Sequence, residues 1–118
     1  MPNVVMVVED EFFVALDIED VLMGMGYEMV GPYPTVREAG NGLSARMPDC
    51  AILDVRLKDG DVFPVADALQ AALVPIVFHS GHADDKELRQ RYPKALICSK
   101  PSSPSSLQGA IEAAMMGV

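Results

Sequence analysis

Three carboxylates in a row, Glu9, Asp10 and Glu11, end the apolar run "NVVMVV", and a fourth, Asp54, ends the run "CAILD". Two further groups that can do chemistry follow apolar runs in the same way. Ser80 and Gly81 come after "PIVFH", and Lys100 with Pro101 comes after "ALICS". Like charges side by side repel, and burying them costs more than burying any apolar group. An arrangement that gathers them needs a compensating cation.

Taken singly, each residue has a plain structural role: an Asp at a strand end caps a helix, a Lys-Pro makes a turn, a Ser sits in a loop. The joint pattern carries the argument, because one edge of one sheet would hold all of them. Glu9, Asp10 and Asp54 with Lys100 leave a net charge of about −2, which suits a hard divalent ion with oxygen ligands, Mg²⁺ being the usual choice for phosphoryl chemistry. A carboxylate beside such an ion, with Lys100 and Ser80 placed to hold new oxygens, is suited to accepting a phosphoryl group by positioning and charge neutralisation.

The elements that must position these residues are legible as alternating runs. Apolar segments at 3–8, 27–33, 50–54, 75–79 and 95–99 read as strands. Four are nearly continuous in apolar residues, as strands covered on both faces are. The second carries Gly31 and Pro32 and is placed at an edge. Helical spacing fills the gaps. Residues 11–25 carry the stripe Val14, Ile18, Val21, Leu22 and Met25. Thr35 to Glu38 reads as a capping box, opening a helix that Gly40 and Gly42 weaken by about 1 kcal/mol each. A helix at 62–72 admits Pro64 in its first turn. The segment 84–91 has Leu88 as almost its sole apolar anchor, so it is either a mobile switch element or a solvated surface helix. Ser103 and Pro104 open the last helix, with Leu107, Ala110, Ile111, Ala114 and Met115 as its buried stripe. The fold class is therefore α/β: a doubly wound (βα)5 parallel five-stranded sheet, flavodoxin-like in order 2-1-3-4-5, one domain over 1–118.

Composition narrows the functions. A net charge of −8 supplies no basic stripe for phosphate contacts, so nucleic acid is not an expected partner. No apolar run reaches the length of a membrane span, and a cytoplasmic location is the default expectation. Cys50 and Cys98 sit in apolar surroundings and read as small core residues rather than a disulfide. His79 and His82 lack a third soft ligand at metal spacing.

The four segments "VVMVVEDE", "AILDVRL", "VFHSG" and "SKP", in this order and at this spacing, resemble a two-component response-regulator receiver domain over essentially the whole chain. The resemblance implies that Asp54 is the phosphoacceptor and that Glu9 and Asp10 are the acidic pair holding Mg²⁺. Asp54 and the backbone carbonyl of Arg56 would complete the protein ligands. Ser80 would be the switch hydroxyl and Lys100 would pair with phosphoryl oxygens, with a cis bond between Lys100 and Pro101. Lys58, Gly60, "DVFPVADAL" and Phe78-His79-Ser80-Gly81 resemble the alphaproteobacterial subgroup named for a Phe-Ala-Thr-Gly motif, whose members act alone or beside HWE-type histidine kinases. Ile97 stands where many receivers keep a switch aromatic. The resemblance also implies that Arg56 and His82 flank the path of an attacking water.

The implied partners are a sensor histidine kinase or phosphotransfer protein and a downstream protein effector. No enzymatic turnover is expected beyond the domain's own phosphorylation and dephosphorylation. A receiver cut from a hybrid kinase and a phosphorylation-independent scaffold are the alternatives. A dehalogenase-type phosphatase would want Asp-x-Asp where Asp54-Val55-Arg56 stands, and no glycine-rich nucleotide loop follows a strand.

Overall fold

A computed structural model describes residues 3–116. The chain alternates β1 (Val4–Val8), α1 (Phe12–Gly24), β2 (Glu28–Tyr33), α2 (Val36–Ala45) and β3 (Cys50–Asp54). A short ribbon of β4 (Arg56–Leu57) and β5 (Gly60–Asp61) follows, then α3 (Phe63–Ala71), β6 (Ile76–Ser80), α4 (Asp85–Arg91), β7 (Leu96–Ser99) and α5 (Pro104–Met115). The five long strands pair in parallel in the order β2-β1-β3-β6-β7. This is the doubly wound order read from the sequence, with the interrupted strand β2 at one edge. The antiparallel ribbon β4–β5 is an addition to the alternating pattern, and its two-residue strands leave no periodicity to read in the sequence.

Strand residues alternate between two cores. Met6, Val8, Ala51, Leu53, Ile76 and Phe78 face α2, α3 and α4. Val5, Val7, Cys50, Ile52, Val77 and Cys98 face Ile18 and Leu22 of α1 and Leu107, Ile111 and Ala114 of α5. Both cysteines are free and buried, and burial pushes the Cys50 thiol up to about 12, so it stays protonated.

Local chemistry sets the element ends. Thr35 Oγ1 accepts from the Glu38 amide and Ser103 Oγ from the Ser106 amide, as the N-cap residues implied. Asp59, at the turn of the ribbon, also accepts from the Val36 and Arg37 amides, so the ribbon helps to cap α2. The bare Gly42 has a reason: a Cβ there would lie 2.5 Å from the Tyr33 ring. Leu88 is the buried residue of α4, as the sequence implies, and a second anchor lies just beyond the helix. Beside Leu88, Tyr92 just past the helix is 2% exposed, packs 5.2 Å from the Phe78 ring and donates to Asp67 at 2.6 Å.

α1 and α3 end alike, with the amide two residues past the C-cap returning to the carbonyl three before it: Tyr27 to Leu22, and Val74 to Leu69. This ending needs a left-handed residue. Gly26 supplies it in α1, but in α3 the position is Leu73, at φ +60° and 87% exposed. An L-residue there costs about 1 kcal/mol, with no packing to offset it. Leu73→Gly should therefore raise the unfolding free energy by about 0.5–1 kcal/mol in urea titration.

Candidate functional site

The parallel register puts the carboxyl ends of β1, β3 and β6 side by side: Val8 lies opposite Leu53, and Asp54 opposite His79. The chain then leaves β1 through Glu9 and Asp10. Glu9 is held there by its amide, which donates to the Tyr33 carbonyl at 3.0 Å, while its Oε2 accepts from the Glu11 amide at 3.2 Å. From the far side the Lys100 amide donates to the Ser80 carbonyl at 2.7 Å, and the Lys100–Pro101 bond is cis.

Oxygen atoms of Glu9, Asp10 and Asp54 all lie within 4.8 Å of one another. Lys100 Nζ stands 3.3 Å from Glu9 Oε1 and 3.3 Å from Asp54 Oδ1, bridging two elements with one charge. Glu9 is 2% exposed, and its Oε1 has no aligned hydrogen bond. Burial, and then the negative charge of Asp54, push its carboxyl up to about 7 against the pull of Lys100. Burial also opposes the Lys100 charge, but Glu9 and Asp54 outweigh it and hold the ammonium's pKa above its ordinary value. The set is short of positive charge. Three hard oxygen donors, one of them a buried carboxylate with an unsatisfied oxygen, fit Mg²⁺ or a similar ion.

Four of the five side chains singled out from the sequence thus meet. Ser80 is 3% exposed, and its hydroxyl is turned to α4, donating to Asp85 Oδ1 at 2.8 Å and accepting from the His82 amide at 3.2 Å. Arg56 and His82 are likewise drawn toward α4. The Arg56 guanidinium makes paired hydrogen bonds to Asp84 at 2.8 and 3.1 Å, and His82 Nδ1 is 3.2 Å from Asp85. His82 also has φ +82°, so the strained residue of this loop is not the glycine before it. Nothing in the sequence pattern singles out Asp84 and Asp85 beyond their place at a helix start.

The two histidines part company. His79 is 3% exposed, with Nε2 2.9 Å from Ser102 Oγ and Nδ1 4.0 Å from Glu9 Oε1. Burial, reinforced by Lys100, lowers its pKa, so the ring is neutral at pH 7 and the contact with Glu9 is not an ion pair. Among the described residues the one group with three potential ligands is the carboxylate set, which neither histidine joins. An exposed aromatic pair, Phe12 and Phe13, opens α1.

No protein-family model matches the chain. The phyllosphere-induced regulator PhyR of Methylorubrum extorquens is 27% identical over 118 residues, 98% of this chain but 44% of that protein. SdrG of Sphingomonas melonis, known from a solution structure, is 33% identical, with 97% of each chain covered and a TM-score of 0.82. A response regulator receiver protein from Sinorhizobium medicae superposes with a TM-score of 0.87 over 98% of this chain and 95% of that one, and at 24% identity speaks for the fold. The chain belongs to the response-regulator receiver domains. This receiver spans about half the length of the curated relatives it matches.

The receiver's acidic pocket makes its stability depend on pH. Glu9 has a folded pKa near 7 against an ordinary value of 4.5. Its stabilising contribution is therefore complete below pH 4.5 and lost as pH rises through about 7. In metal-free buffer Glu9→Gln should match wild type near pH 4.5 and exceed it at about pH 8, by on the order of 2 kcal/mol in urea unfolding.

Proposed function

We propose that this receiver accepts a phosphoryl group from a kinase phosphohistidine onto a carboxylate oxygen of Asp54. The observation that carries the reading is the Lys100 ammonium, 3.3 Å from both Asp54 and Glu9, beside three converging carboxylates. Asp54 has a side chain 13% exposed at the end of a rigid central strand, open enough for a donor and fixed enough for attack.

Glu9, Asp10 and Asp54, with the backbone carbonyl of Arg56, would hold Mg²⁺. The ion would neutralise charge that develops on the transferring phosphoryl oxygens. Lys100 would pair with those oxygens, leaving Glu9 when a better anion arrives. The Ser80 hydroxyl would donate to another of them. Asp54 loses nothing in the transfer: its oxygen takes phosphorus as the histidine nitrogen leaves.

The donor would be a sensor histidine kinase or a phosphotransfer protein, and the resemblance of the Phe78-His79-Ser80-Gly81 segment to the Phe-Ala-Thr-Gly subgroup favours an HWE-type kinase. Output would pass through protein contacts in the cytoplasm, since a net charge of −8 is unsuited to DNA, and among the described residues no helix is long and apolar enough to cross a membrane. The domain would turn over no substrate beyond its own phosphoryl group.

Intact mass after incubation with a small phosphodonor and Mg²⁺ tests the assignment. Wild type should gain one phosphoryl group and Asp54→Asn none; a gain that survives Asp54→Asn would move the acceptor elsewhere.

A further inference from the structure

Ser80 has one proton to give, and in this structure Asp85 has it. A phosphoryl group on Asp54 would compete for that proton. We infer that Asp85 is a positioning residue that acts through Ser80: it withholds the hydroxyl from Asp54 in the resting domain, and phosphoryl binding must break the Ser80–Asp85 bond. The inference rests on the phosphoacceptor reading above and adds a residue to it.

Several contacts make Asp85 more than a passing acceptor. It lies in the first turn of α4, a seven-residue helix, and its second oxygen is 3.2 Å from His82 Nδ1. The His82 amide closes the arrangement by donating to Ser80 Oγ, with His82 held at φ +82°. Asp84 beside it is tied by Arg56 to the segment just after Asp54. The hydroxyl, the strained loop and the start of α4 are therefore one hydrogen-bonded unit. Moving Ser80 toward Asp54 would release Asp85 and loosen α4 without any aromatic ring at position 97, where Ile97 is partly buried in the core.

A hydrogen bond to a charged acceptor is strong enough for its loss to change affinity by roughly tenfold. The test is a double-mutant cycle on the full chain, reading the affinity for beryllofluoride with Mg²⁺, an acyl-phosphate mimic, and amide exchange in the free protein. Asp85→Ala should tighten beryllofluoride binding about tenfold in wild type and by less than about twofold in Ser80→Ala. Asp85→Asn, which can still accept the bond, should fall between. The same gain in both backgrounds would mean that removal of a negative charge is the whole effect, and the inference would fail. No gain in either would also overturn it.

Amide exchange separates this failure from failure of the phosphoacceptor reading. If beryllofluoride binds wild type no better than Asp54→Asn, that reading is wrong. Exchange of the His82 amide then decides the fate of the Ser80–Asp85 bond. Acceleration by Asp85→Ala with Ser80 present, and no acceleration in Ser80→Ala, would uphold the bond; an unchanged rate would remove it.

Discussion

One ammonium group holds the functional end of this domain together. Lys100 arrives at the end of β7, yet its charge is spent on Glu9 from β1 and Asp54 from β3. Without it, a buried glutamate and a strand-end aspartate would face each other across a gap set by the sheet spacing, with no cationic partner among the described residues. The carboxyl of Glu9, already raised to about 7, is a measure of how incomplete the compensation is. Burial is the larger cause, and a single lysine shared between two acids does not reverse it.

The sheet order makes that sharing possible. Because β1 and β3 are neighbours and the chain reaches β7 last, the strand ends deliver acids from the middle of the sheet and a base from its edge. The backbone bond from the Lys100 amide to the Ser80 carbonyl fixes the base to the strand that carries the hydroxyl. A change at Ser80 and a change at Lys100 are thus mechanically adjacent, although the two side chains make different contacts.

Much of this was legible in the sequence, and the reasons are physical. Continuous apolar runs such as "CAILD" have one stable home, a strand buried on both faces, and the residue after such a run must emerge at a strand end. That logic located Glu9, Asp10, Asp54 and Lys100. It could not see where the Ser80 hydroxyl points, because that depends on a rotamer and on Asp85, five residues away across a loop. Nor could it see the β4–β5 ribbon, too short to show a period, or the role of Tyr92, which secures α4 from just beyond its end. Gly42 looked like a weakness in α2 and proved to be clearance for the Tyr33 ring, a contact between residues nine apart in the chain. In each case the missing information was a side chain meeting a partner that no local pattern names.

The placement of Pro32 has a consequence for how copies of this protein meet in a crowded solution. An open sheet has two unpaired margins, and each could template a strand from another molecule. β2 forms one margin, and its proline offers no N–H to an incoming backbone, while Gly31 beside it runs at φ +100°. β7 forms the other and is only four residues long. Neither margin presents a long, regular row of donors and acceptors, so lateral growth from sheet to sheet is discouraged at both ends, and recognition is left to the helices and loops.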